Sequence, residues 1–391
     1  MSLKYLVQKS DNPIIQDKAD NIAIGKLSMN CFRSYDHQNL NVQGANVLLT
    51  GHNGSGKSNI LEAITTPLPG KNFRPSSLQD FYKRGSTGPC FTNIVLANQY
   101  NSNITSSFVF NNQHVCKRSI DIDGKKVNRF SEISRYLKVN WLTPYMDRLF
   151  VDSSSLRRKF FDEITSNFYP EHLNYIRILK KLVRERLELL KKGNFDKEWI
   201  NSIEGQITKF SFLIAESRVK TIDLIQEELD KNSTPFPVAK ISISGFLESQ
   251  IKIYDNEKLK DIYLNKLLEN RKIDALQGKS KIGPHCSDFL VRHGKNNMEA
   301  FNCSTGEQKA LLISIFLADI RLQKNNYGYA PVILLDEIAS HLDNFHRTSL
   351  LLILQKIGSQ TWITTTDGNF FDTNFKNFIH YTIDEGNIKI N

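Results

Sequence analysis

The sequence predicts an α/β fold interrupted by a mostly helical insertion, and three observations carry that reading. An apolar strand runs into a glycine-rich turn and a helix at 48–62, LLTGHNGSGKSNILE. A second apolar run ends in paired acids far downstream, in PVILLDEIASHLD at 331–343. The interval from Gly51 to Asp336 exceeds a typical domain of about 100–150 residues, and it holds long helical periodicities.

The glycine turn meets the spacing G-x-x-x-x-G-K-S in full. Gly51, Gly54 and Gly56 permit backbone conformations that aim successive N–H groups at one phosphate chain, and His52, Asn53 and Ser55 complete the loop. A helix opening near Lys57 brings its positive end to the same place. Lys57 would reach terminal phosphates, and Ser58 would offer a hydroxyl to Mg²⁺. ATP and Mg²⁺ are therefore the expected cofactors.

Val332-Ile333-Leu334-Leu335 reads as a buried parallel strand. It ends in Asp336-Glu337, at the carboxyl edge where α/β proteins bind ligands. Asp336 would hold the metal, and Glu337 would act as general base toward an attacking water. Between these parts lies CSTGEQK at 303–309, followed by an apolar helical stretch. Ser304 and Gly306, with Gln308, match the signature turn of ABC-type ATPases. The same residues also read as an ordinary helix start, with Ser304 as N-cap and Glu307 closing a capping box. Ser340-His341-Leu342-Asp343 after Glu337 favours the first reading, because it is similar to the D-loop of that class. The fold class is thus a P-loop ABC-type ATPase head with an inserted, mostly helical arm.

The insertion carries apolar residues at 176, 179, 183, 187 and 190, a helical stripe ending at Gly193-Asn194. Helical patterning resumes over 197–230, Asn232 to Pro237 breaks the chain, KISISGF alternates like a strand, and LKDIYLNKLLENRK is helical again. The expected division is an N-terminal extension at 1–21, a first head segment at 22–165, an arm at 166–275 and a second head segment at 276–391. The arm is far too short for a long coiled coil.

The chain has 391 residues and a net charge of +10, which favours a polyanionic partner. Arg177, Lys180, Lys181, Arg184, Arg186, Lys191 and Lys192 crowd one arm helix, and Arg157-Arg158-Lys159 precede it. Such residues neutralise phosphates without reading sequence; a solvated helix face is the alternative for any one of them. Lys181, Arg184, Arg157 and Arg158 are the expected DNA contacts. The five cysteines, scattered and without a C-x-x-C pair, fit reduced thiols in a cytosol. No apolar run approaches a membrane span. A cytoplasmic, nucleoid-associated protein is expected.

These motifs together resemble the RecF family of recombination-repair ATPases, from about residue 22 to the C-terminus. The resemblance rests on FRSY at 32–35, the glycine turn, LEAI at 61–64, GKNFR at 70–74, LRRKFFD at 156–162, Gly-Pro-His at 283–285, and the signature, acidic strand and SHLD in order. It departs after Gly-Pro-His, where the family pattern has an arginine and two acids and this chain has Cys286-Ser287-Asp288. It departs again after the last core strand, where TWITTTDG offers Thr364 to Thr366 and no switch histidine. The glutamine-loop residue is sought in LTPYMDRL at 142–149. The resemblance implies an ATP-dependent homodimer in which Ser304, Gly306 and Gln308 of one copy cap the nucleotide of the other and Asp343 crosses the interface. It further implies slow hydrolysis, binding to gapped or junction duplex DNA, and RecR and RecO as partners in loading RecA. A non-hydrolysing DNA module and a transporter's ATPase subunit are the competing classes.

Overall fold

The computed structural model describes residues 22–391 apart from 69–72, 75, 87, 99–100, 111–115, 128–129, 194–195, 232–233, 338–341 and 367–377. The extension at 1–21, most of GKNFR, Asn194, Asn232-Ser233, the Ser340-His341 half of SHLD, and Asp367-Gly368 lie outside the described residues.

Strands β1 (Ile24–Phe32), β2 (Tyr35–Asn41) and β3 (Asn46–Thr50) open the described chain, and helix α1 (Lys57–Thr65) follows the glycine turn. β4 (Cys90–Leu96), β5 (Asn103–Phe110), β6 (Cys116–Ile122) and β7 (Lys125–Lys126) join the first two strands in an antiparallel sheet ordered β2-β1-β4-β5-β6-β7. β8 (Val139–Leu142) returns to the sheet of β3, and a 3₁₀ turn at Pro144–Arg148 leads into α2 (Ser154–Phe168). The insertion follows as α3 (His172–Lys192), α4 (Lys197–Asp230), β9 (Ala239–Ser244), α5 (Phe246–Gln250), α6 (Asn256–Glu269) and α7 (Arg271–Gln277). β10 (Asp288–His293) pairs antiparallel with β9; then come α8 (Thr305–Tyr327), β11 (Val332–Asp336), α9 (Asn344–Ile357), β12 (Thr361–Thr365), β13 (Phe378–Asp384) and β14 (Asn387–Ile390).

The second large sheet has the order β14-β13-β3-β12-β11-β8, parallel except for β14. Both faces of its central strands are covered, which is why they read as continuous apolar runs. Leu48, Ile333, Leu335 and Ile363 pack on one face with Leu311, Ile315 and Leu350 from α8 and α9. Val47, Leu49, Val332, Leu334 and Trp362 face the other way, against Ile60 and Ile64 of α1 and Leu27, Met29 and Ile94 of the antiparallel sheet. α8 is buried along most of its length between sheet and insertion, so its apolar residues show no single stripe.

The insertion has its own core. Leu179, Leu182 and Leu189 of α3 pack against Ile203, Ile207 and Phe212 of α4 and Leu259, Tyr263 and Leu267 of α6. α3 stops at Gly193, whose φ of +72° suits glycine. α4 begins on the Asp196 cap and runs for 34 residues. Its far end, Ile225 and Leu229, leaves the insertion's core and packs in the cluster of α8 and the parallel sheet. A single continuous helix thereby joins the two cores. No described helix is long and apolar enough to cross a membrane.

Candidate functional site

The parallel register puts the ends of β3 and β11 at one sheet edge, with β12 between them. At the end of β3 the backbone enters the left-handed region at Gly54 (φ +83°) and Gly56 (φ +111°). A side-chain carbon on Gly56 would lie 2.7 Å from the Tyr35 hydroxyl, whereas one on Gly54 would meet open space. Tyr35 donates to the Gly56 carbonyl at 3.0 Å, so the FRSY segment braces the turn from behind. Arg33 of the same segment makes a bidentate pair with buried Glu62 of LEAI, at 2.7 and 2.8 Å, tying the end of β1 to α1.

Lys57 is buried at the first position of α1, and its ammonium donates to the carbonyls of Gly51 (2.7 Å) and His52 (2.9 Å). Burial lowers its pKa, and the nearby charges of Glu337 and Asp336 oppose that shift. The Ser55 hydroxyl is enclosed without a partner, His52 and Asn53 are exposed, and Ser58 is half-buried beside Lys57. His52 also lies 3.3 Å from Asp384 at the tip of the β13–β14 hairpin. A cradle with an exposed Gly54, a buried lysine held against its own loop carbonyls and an unsatisfied hydroxyl within fits a polyphosphate group.

Asp336 closes β11 and is 4% exposed. Its Oδ1 accepts from the Thr364 hydroxyl at 2.8 Å, and Oδ2 lies 3.8 Å from the Arg74 guanidinium. Glu337 turns the chain away with φ +53°, and its N–H donates to Thr364 Oγ1 at 3.0 Å. Beside this edge, Asp147 of LTPYMDRL accepts from Lys309 of α8 at 2.9 Å, linking the segment after β8 to the signature helix.

At the start of α8, Ser304 and Glu307 form the capping box, with Glu307 Oε2 accepting from Ser304 N at 2.9 Å and from its hydroxyl at 2.8 Å. Those bonds hold the Glu307 carboxyl below its usual range. Ser304 and Gly306 are exposed, and Gly306 has open space before it. Gln308 points inward instead, donating to the Cys303 carbonyl at 2.9 Å. Asp343 caps α9, accepting from His346 N at 2.8 Å and lying 2.7 Å from its Nδ1. The cradle and the acidic edge thus share one place, whereas the capping bonds of Ser304 and Glu307 close within the signature turn.

The basic residues divide. Arg177, Lys180, Lys181, Arg184, Lys191 and Lys192 of α3 are exposed. Arg186 is fully buried, because it shares the face of Leu182 and Leu189, and it pairs with Glu204 at 2.7 Å and Asp274 at 2.6 Å. Arg157 is held in a bidentate pair with Asp288, both bonds at 2.8 Å, and Arg158 donates to the Ser287 carbonyl at 2.6 Å. Both arginines therefore serve the root of the insertion, where LRRKFFD and Gly-Pro-His meet.

Buried Arg218 of α4 organises that root. It pairs with Asp162 at 2.8 Å and Glu248 at 2.9 Å, and it donates to the Pro284 carbonyl at 2.7 Å. His172 Nε2 lies 2.9 Å from the same Asp162 carboxylate. Burial alone would raise the Asp162 pKa, but the Arg218 charge and the His172 bond outweigh it and bring the value to about 2. Ser287 donates to Glu248 at 2.7 Å, on the same oxygen that accepts from Arg218. Sequence spacing gives no sign of this network, since Asp162 and Arg218 lie on different helices.

Parallel sheet, glycine cradle, acidic edge and capped signature helix define a P-loop ATPase head of the ABC type. A family model, the RecF/RecN/SMC N terminal domain, matches residues 23–389. The DNA replication and repair protein RecF of Allorhizobium ampelinum is 35% identical over 377 residues, 95% of this chain and 100% of that protein. RecF of Rickettsia akari is 36% identical over 347 residues, 89% of this chain and 95% of the relative. The chain belongs to the RecF family. Among solved structures, the recombination mediator protein RecF-ATPrS in the RecFOR pathway superposes with a TM-score of 0.81 at 20% identity, covering 95% of this chain and 98% of that one. The Smc head domain of Pyrococcus furiosus with an extended coiled coil gives 0.51 at 18% identity, over 95% and 96%. These structures share the fold.

Proposed function

We propose that this protein is an ATP-dependent clamp on duplex DNA, acting at gaps or junctions in recombinational repair and replication restart, with slow hydrolysis. The observation that carries the reading is the shared edge: Lys57 follows β3 and the pair Asp336-Glu337 ends β11, with only β12 between the two strands. Family membership, and relatives named as DNA replication and repair proteins, support the biological setting.

In this reading the head comprises 22–165 and 276–391, and the arm 166–275. The cradle's backbone N–H groups and Lys57 hold phosphate oxygens, and Ser58 and Asp336 hold Mg²⁺. When bound, ATP supplies a terminal phosphate whose contacts differ between separate and joined copies, which makes it the bond between them. Glu337 takes the proton of the attacking water. Ser304 and Gly306 of one copy face the cradle of its partner, and Asp343 lies at the contact. Gln308 pins the signature turn from inside. The outer face of α3, with Lys181 and Arg184, meets DNA phosphates. RecR and RecO are the expected protein partners, and the cytoplasm the expected place.

A turnover assay with and without duplex DNA tests the reading. Slow hydrolysis that duplex DNA stimulates is expected; no nucleotide binding by the purified chain would overturn it.

A further inference from the structure

We propose that Thr364 is the positioning residue of the acidic edge, setting both the Asp336 carboxylate and the backbone turn that carries Glu337. The inference rests on the roles given to those two acids above. Thr364 stands opposite Asp336 in the parallel register of β11 and β12, and its side chain is fully buried. Its hydroxyl works in both senses: the proton goes to Asp336 Oδ1 at 2.8 Å, and the oxygen accepts the Glu337 N–H at 3.0 Å. A hydroxyl has one proton to give and lone pairs to receive, so this one group satisfies a buried carboxylate and a backbone amide together. Valine has the same shape and can do neither.

Glu337 has particular need of such a partner. Its φ of +53° is a region that residues other than glycine occupy at a cost, and they persist there when their surroundings hold them. A second bond from its N–H, to the Thr364 carbonyl, is longer at 3.3 Å. Asp336 is fixed from two sides, by the hydroxyl on Oδ1 and by Arg74 at 3.8 Å from Oδ2. Of the consecutive threonines, Thr364 is the one in register with Asp336; Thr365 pairs with Thr50 of β3. The place where ABC-type heads carry a switch histidine is thus next to a threonine that orders the acids themselves.

The test compares Thr364→Val and Thr364→Ser in the full chain. Calorimetry with a non-hydrolysable ATP analogue, with and without Mg²⁺, reads the metal site apart from turnover. Thr364→Val is expected to bind the analogue without Mg²⁺ as wild type does, and to lose most of the gain in affinity that Mg²⁺ brings. Its kcat should fall about ten- to a hundredfold, the effect of one bond to a charged group, and its KM measured with Mg²⁺ should rise with the affinity that is lost. Thr364→Ser should restore both. A wild-type kcat and a wild-type Mg²⁺ gain in Thr364→Val overturn the inference, as does an equal loss in both variants that follows a fall in melting temperature. Glu337→Gln run alongside separates the two levels. If it turns over normally, the reading of the acidic edge fails; if it is inactive while Thr364→Val is normal, only this inference fails.

Discussion

Glu337 and Asp162 show how a carboxylate serves two purposes in this chain. Glu337 is half-buried at the sheet edge, and an amide in its place keeps shape while losing the ability to accept a proton. Glu337→Gln should therefore bind ATP, lose hydrolysis and accumulate as an ATP-bound dimer in light scattering; normal turnover would remove its assignment as base. Asp162 is structural. Its folded pKa of about 2 lies below the ordinary 3.8, so the Arg218 pairing stabilises the fold above that ordinary value and the contribution is lost as pH falls toward the folded one. Urea midpoints should show this loss in the wild type and a flatter course in Asp162→Asn. Parallel curves would contradict the linkage.

Helix α3 gives the clearest contrast between two roles for one side chain. Arg186→Ala leaves Asp274 buried without its cation, while Glu204 keeps Arg271, a change expected to cost about 3 kcal/mol in stability. Charge reversal at Lys181 and Arg184, on the outer face, should leave stability nearly unchanged. It should weaken binding to all duplex sequences alike and reduce the salt slope by roughly 0.9 for each phosphate no longer neutralised. A variant pair with unchanged DNA affinity would take the DNA surface away from α3. Strands β3, β9 and β11, the cradle and the ends of α3 and α4 were legible in the sequence, because periodicity, glycine and capping act over a few residues; the antiparallel sheet of β1, β2 and β4 to β7 was not. The burial of Arg186 was not, since the basic residues of one helix look alike until Leu182 and Leu189 choose the inward face. Nor was the pairing of Arg157 with Asp288, or of Arg218 with Asp162, because it depends on which elements the tertiary fold brings together. Thr364 was visible as a residue but not as the bond between β12 and the acidic edge.

At the scale of the whole molecule, α4 reaches from the insertion's core to the cluster under α8, and α8 begins at the signature turn. Lys309 ties that same helix to Asp147 beside the acidic edge. The proposed clamp needs two faces of the head, one with the cradle and acids and one with Ser304 and Gly306, supplied by different copies. A two-fold dimer repeats one interface twice, so each site takes a cradle from one copy and a signature from the other. Lys57→Ala and Ser304→Arg should each be inactive alone. Mixed, one site of the hybrid dimer is intact and the other carries both defects. Random mixing makes about half the dimers hybrid, so independent sites should regain roughly a quarter of wild-type turnover. Restored hydrolysis on mixing two inactive proteins is the predicted result; no restoration, while both variants still dimerise and exchange partners, would contradict a signature that acts across the dimer.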